Sequence, residues 1–174
     1  MSAEVRLLQA GDADWMDAGF NEMGWAKPAG YFHSVVDAHV AGFISAWVAS
    51  VGDDYAGHVK LVWPDRGGRT PPSSWPEVED LAVISRMRRR GIASYLLDSA
   101  EAAAFGRYDI VRIGVGLHPG YRAAQRLYVL RGYVPDARGV THNGRLVEEG
   151  ETVPFDDDLV LHLEKRRPTS PGTA

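Results

Sequence analysis

SRMRRRGIASYLL, residues 85–97, is the stretch on which the fold turns. Arg86, Arg88, Arg89 and Arg90 crowd the approach to Gly91, and a helical run leaves it. Just upstream, EVEDLAVI (77–84) predicts a strand, and GIASYLLDSAEAAAF (91–105) is rich in alanine and predicts a helix that stops at Gly106. A strand therefore delivers the chain to an arginine loop, and a helix carries it away. The first amides of such a helix have no intrahelical acceptor, and its dipole adds partial positive charge there. Gly91 lets the backbone approach a ligand without a Cβ in the way, and Ala93 and Ser94 keep the first turn open. An end of this kind can hold a phosphate. A solvated charge run, or a nucleic-acid patch, would use the same residues, and the stretch alone does not choose.

Working outward, EVRLLQA (4–10) predicts a first strand, broken at Gly11 and Asp12. Asp12 or Asp14 can cap a helix through Asn21. Residues 23–30 read as a loop punctuated by Pro28 and Gly30. In YFHSVVDAHV (31–40) Phe32, Val35, Val36 and Val40 recur at helical spacing, and Gly42 ends the run. FISAWVASV (43–51), the turn GDD and YAGHVKLVW (55–63) predict a hairpin, with His58 and Lys60 alternating against Val59 and Leu61. PDRGGRTPPSSWP (64–76) is a loop internal to the domain. DIVRIGVGL (109–117) predicts a buried strand and YRAAQRLYVLRG (121–132) a helix ending at Gly132. YVPDARGV (133–140) and DDLVLHLEKR (157–166) are strands flanking a polar loop, and residues 168–174 form a disordered tail. Strand–helix–strand in the middle implies parallel pairing, and the hairpins on either side imply antiparallel pairing. The expectation is one mixed-sheet α/β domain over residues 1–167.

Composition narrows the function classes. The chain has 174 residues, which suits one domain with a real core. It carries a formal net charge of −4, whereas a general nucleic-acid binder is more often basic throughout. There is no cysteine, so disulfides, thiolate metal sites and a cysteine nucleophile are excluded. The N-terminus lacks a signal-peptide pattern, and no apolar run approaches the ~20 residues of a membrane span. The reading is a cytoplasmic protein with no nucleic-acid or membrane partner; a homodimer is left open. The six histidines, His33, His39, His58, His118, His142 and His162, show no tight metal spacing, so no metal is expected.

EVEDLAVISRMRRRGIASYLL (77–97) resembles the acetyl-CoA motif of the GNAT-type N-acetyltransferase superfamily. Its loop pattern is matched by Arg88, Arg89, Arg90, Gly91, Ile92 and Ala93. A second block, AAQRLYVLRGYVP (123–135), resembles the family helix whose Leu–Tyr pair precedes a Gly–aromatic step, here Leu127, Tyr128, Gly132 and Tyr133. The two motifs stand in the family's order, and the resemblance covers roughly residues 5–165. It implies a mixed, mostly antiparallel sheet with a central parallel pair that splays, flanked by helices. It also implies acetyl-CoA as cosubstrate, held by Arg88, Arg89, Arg90, Gly91, Ile92, Ala93 and Ser94, by the backbone of Leu81, Ala82 and Val83, and by Tyr121 and Tyr128. Many members carry asparagine where this chain has Tyr121.

The implied reaction moves an acetyl group from acetyl-CoA to a primary amine by direct transfer in a ternary complex. A base must take the amine proton. Strict alternation along the strand puts Glu77, Glu79, Leu81 and Val83 on one face and Asp80 on the other, which makes Glu77 and Glu79 the base candidates. Tyr128 is the acid candidate for the leaving thiolate, because a phenol is protonated at neutral pH. Gly114 and Gly116 leave space on one face of their strand, or merely permit tight packing. Trp25, Tyr31 and Phe32 lie in the region that covers the acceptor pocket in the family, and read as core more than pocket. The acidic run VEEGETVPFDDDL (147–159) favours a cationic small-molecule amine. The alternatives are a protein N-terminal or lysine acetyltransferase, and a non-catalytic acetyl-CoA-binding sensor or interaction domain.

Overall fold

The computed structural model describes residues 2–21, 24, 27–64 and 74–168. Trp25 and the tail beyond Pro168 lie outside the described residues, as does much of the 64–76 loop. The chain forms two compact units, residues 1–107 and 108–174.

The first unit is built on four strands, β1 (Glu4–Leu7), β2 (Ile44–Val51), β3 (Asp54–Val62) and β4 (Glu77–Val83), in that order and all antiparallel. Helix α1 (Ala13–Asn21) buries Ala13, Met16 and Phe20, and α2 (Tyr31–Val40) buries Phe32, Val35 and Val36. These are the i, i+3, i+4 positions of one face. Val40 continues the sequence pattern but is exposed, because the helix ends there and the chain turns at Gly42 into β2. Asp12 stands just before α1, yet its carboxylate turns back to the Gln9 amide and to both terminal nitrogens of Arg6, at 2.7 and 2.8 Å. Phe20 and Phe32 pack their rings around His58 of β3. Helix α3 (Ile92–Phe105) packs along β2, β3 and β4 through buried Ile92, Leu96, Leu97, Ala100 and Ala104.

One irregularity matters for the site. Lys60 pairs with Glu79 and His58 with Ala82, so Asp80 and Leu81 together oppose Val59. This is a β-bulge, and Asp80 takes the left-handed conformation, φ 52°. Holding a non-glycine residue there costs about 1–3 kcal/mol, so its surroundings must over-determine it.

The second unit contains β5 (Ile110–Gly116), α4 (Arg122–Leu130), β6 (Val134–His142), β7 (Arg145–Leu146) and β8 (Leu159–Arg166). The strands lie in the order β5-β8-β6-β7, all antiparallel. Every strand and helix expected from the sequence is present. The short β7 is an addition, formed where the polar loop folds back on β6. Helix α4 is strongly amphipathic in sequence, and Tyr128 is its buried residue.

Candidate active site

The arginine loop starts with a single 3₁₀ turn, Ser85–Met87. Arg86 reaches Asp54 at 3.1 Å, and Arg88 Nε donates to the Val83 carbonyl at 3.1 Å. All four arginines are exposed; Arg86 and Arg88 tie the loop to its own unit, and Arg90 donates to Met87 Sδ at 3.4 Å. Arg89 and Gly91 both have positive φ, 61° and 79°. The first α-helical bond runs from the Tyr95 amide to the Gly91 carbonyl at 3.1 Å. The amides of Ile92, Ala93 and Ser94 therefore precede the helical ladder, and exposed Arg89 and Arg90 stand just before them in the chain. A Cβ on Gly91 would meet nothing nearer than the Tyr95 ring at 3.6 Å. Gly91 is needed for its backbone angle and not for room inside the protein.

The carboxylates do not follow strict alternation. Glu77 is buried opposite Val62, and Glu79 is half-buried with Lys60 Nζ at 3.7 Å. The bulge brings Asp80 to the face of Glu79, where alternation along the strand would have put it on the opposite face. It also turns Ala82, the partner of His58, toward that face in place of Leu81 and Val83. Continued alternation would have placed a carboxylate among apolar side chains with no donor in reach. The bulge gives it several instead. Lys27 Nζ donates to Asp80 at 2.8 Å, Tyr31 donates its hydroxyl at 2.5 Å, and Lys60 Nζ lies 3.9 Å away. His58 Nε2 stands 3.1 Å from the same carboxylate, not fully aligned as a hydrogen bond. Tyr55 bonds His58 at Nδ1. Burial pushes the Asp80 pKa up, but His58, Lys27 and Tyr31 together outweigh it and hold the carboxyl well below the usual carboxylate range. Burial, helped by Asp80, pushes the Tyr31 and Tyr55 phenols above theirs. Asp80 is thus a fixed anion and a poor proton acceptor at neutral pH. Sequence reasoning missed this cluster. Its one legible signal was the facing of H-V-K on β3 by E-V-E-D on β4.

In the second unit Tyr128 packs against Tyr133, with ring centroids 5.9 Å apart. Burial first, and Tyr121 second, raise the Tyr128 phenol above its ordinary range, so it remains a proton donor. The space that Gly114 and Gly116 had suggested is filled: a Cβ on Gly116 would stand 2.4 Å from the Tyr121 ring, and one on Gly114 would stand 2.9 Å from Val160. The glycines permit tight packing and leave no open slot. Burial, with the Asp157 charge nearby, raises the Tyr121 phenol above its ordinary range, and His118 Nε2 stands 2.6 Å from the same Asp157 carboxylate. The acidic run is therefore partly engaged within its unit: Asp156 meets His142, Asp157 meets His118, and Glu151 forms an ion pair with Arg145. Among the described residues there is no group of three or more His, Asp or Glu side chains placed to hold a metal, and no helix long and apolar enough to cross a membrane.

The model of the acetyltransferase (GNAT) family matches residues 6–133. The chain therefore belongs to the GNAT acetyltransferase family, a family of acyl-transferring enzymes. Solved structures agree on the fold. A GNAT-family protein from Desulfovibrio desulfuricans superposes with a TM-score of 0.69 at 17% identity, covering 95% of this chain and 99% of its own. The ribosomal-protein-alanine N-acetyltransferase of Brucella melitensis gives 0.68 at 16% identity, covering 94% and 99%. The spermidine/spermine N-acetyltransferase of Vibrio cholerae gives 0.62 at 16% identity, covering 95% and 92%. At such identities the likeness carries the fold and not the substrate. No curated protein matches this sequence.

Proposed function

We propose that this protein is an N-acetyltransferase that moves an acetyl group from acetyl-CoA to a primary amine, with a small-molecule amine as acceptor, and that residues 1–167 act as one catalytic domain. The observation that carries this reading is the start of α3. Three amides free of the helical ladder follow a positive-φ glycine, next to exposed Arg89 and Arg90, in a chain of the GNAT family. Those groups fit a pyrophosphate: amide dipoles and guanidinium charge converge there, and the glycine offers no side chain to obstruct.

Acetyl-CoA would supply the thioester; the chain supplies proton handling and orientation. An alkyl ammonium, with a pKa near about 10.4, must lose a proton before it can attack. In this reading Glu79 takes that proton, directly or through water, because it is the less buried of the two glutamates and lies on the face that carries Lys60 and Asp80. Glu77 is the second choice. Tyr128, held protonated by burial, gives its proton to the departing sulfur. Leu81, Ala82 and Val83 offer backbone to the pantetheine arm in the manner of an added strand. Tyr121 and the loop from Arg88 to Ser94 complete the cofactor side.

Calorimetric titration with acetyl-CoA, followed by thiol release with a panel of amines, tests the proposal. Binding with release on small amines is the expected result. Binding without release on any small amine or peptide would point to a sensor, and absence of binding sinks the reading. Release on peptide N-termini alone would favour the protein-acetylating alternative.

A further inference from the structure

The densest set of ionisable groups among the described residues of the first unit is not the arginine loop. It is the buried cluster around Asp80, and the reaction as proposed gives it no chemical step. We propose that His58 is a positioning residue: backed by Tyr55, it locks the Asp80 carboxylate and so holds the β4 bulge that sets the register of Leu81–Val83. The proposal rests on the reading that the backbone of those three residues receives the pantetheine arm.

Four observations converge. Asp80 has φ 52° at the bulge, a conformation that relaxes unless something holds it. Its side chain is only 14% exposed, yet it faces Lys27, Tyr31 and His58 within 3.1 Å. His58 is itself 1% exposed, bonded behind by Tyr55 and wedged by Phe20 and Phe32. Immediately past the bulge, a Cβ on Gly57 would stand 2.3 Å from the Ala82 carbonyl oxygen, so β3 presses on the segment whose register is at stake. Stability alone does not call for this arrangement. Glycine at position 80 would accept the backbone angle without strain, and an apolar side chain at 58 would fill the pocket without a buried ionic network. What the network adds is a single register: a slip by one residue would turn every β4 side chain after Glu79, and every amide with it, to the other side.

Asp80→Gly separates backbone angle from carboxylate, because glycine keeps the positive φ and removes the anion. Three quantities are read for each variant: melting temperature, the Kd for acetyl-CoA, and the Kd for 3′-phosphoadenosine 5′-phosphate, which probes the nucleotide end alone. In Asp80→Gly and in His58→Leu, acetyl-CoA binding should weaken about tenfold or more while the nucleotide fragment binds as in wild type. The double variant should lose little beyond either single one, as expected for residues acting as a unit. Asp80→Asn tolerates positive φ and still accepts hydrogen bonds, and should restore most of the affinity. Tyr55→Phe, which removes one hydroxyl from the same chain of contacts, should show the same selective loss in smaller measure. Wild-type acetyl-CoA affinity in Asp80→Gly and Tyr55→Phe, or parallel loss of both ligands, overturns the inference. If the wild-type protein binds no acetyl-CoA, the functional reading falls and takes this inference with it; if it does bind, only the positioning role is at stake.

Discussion

Gly116 and Tyr121 meet so closely that a single methyl group on the glycine would stand 2.4 Å from the tyrosine ring. The last residue of β5 is thus the seat of the side chain that heads α4, and Gln125 ties the same point by donating to the Gly116 carbonyl at 2.8 Å. Gly116→Ala should displace the ring and destabilise the protein by about 1–3 kcal/mol, as overpacking does. Thermal unfolding checks it. Adding Tyr121→Ala should cost less in the Gly116→Ala background than in wild type, since the two residues share one contact.

Gly91→Val should weaken acetyl-CoA binding by about tenfold or more. A left-handed angle costs an L-residue roughly 1–2 kcal/mol, and a β-branched one more. The penalty falls on the loop conformation, because the added Cβ itself would meet nothing nearer than the Tyr95 ring at 3.6 Å. Calorimetry gives the Kd; an unchanged value would remove Gly91 from the cofactor site.

Tyr128→Phe should lower kcat by about 10²–10⁴, the range for one acid–base group, and leave acetyl-CoA affinity almost unchanged. The phenol is worth most as negative charge forms on sulfur, so the loss belongs to turnover and not to binding. A wild-type rate would reduce Tyr128 to a packing residue against Tyr133.

The Arg6–Asp12 pair should give stability a specific pH dependence. The Arg6 hydrogen bonds hold the Asp12 carboxyl below its ordinary range, against the opposing effect of its partial burial. A depressed folded-state pKa means the contribution is full above the unfolded-state value, about 3.9, and is lost as pH falls through the lower folded value. Asp12→Asn should therefore cost about 1–3 kcal/mol at neutral pH, as charge-assisted bonds do. The two proteins should converge at strongly acidic pH. Denaturant curves at several pH values check both the gap and its closing.

Much of this protein is local and was legible in the chain. Phe32, Val35 and Val36 recur at helical spacing, alanines fill the run to Phe105, and Gly106 follows it. The hairpin of β2 and β3 alternates around a Gly-Asp-Asp turn. These signals depend on neighbours a few residues apart, and such neighbours share one periodic backbone. The arginine loop and Gly91 were readable for the same reason: φ at a helix start is a property of the glycine itself. What tertiary structure decided lies between residues far apart in sequence. The bulge at Asp80 comes from matching β4 to a β3 strand some twenty residues away, where Gly57 admits the Ala82 carbonyl and His58 offers a partner to a carboxylate that would otherwise be buried without a donor. Periodicity along one strand cannot place an extra residue, because its position is set by the partner across the ladder. Tyr121 entering the gap above Gly116, and the acidic run finding His118, His142 and Arg145, are of the same kind. A side chain's charge and size are written in the sequence; which group neutralises it or fills the space beside it is fixed only when distant segments come together.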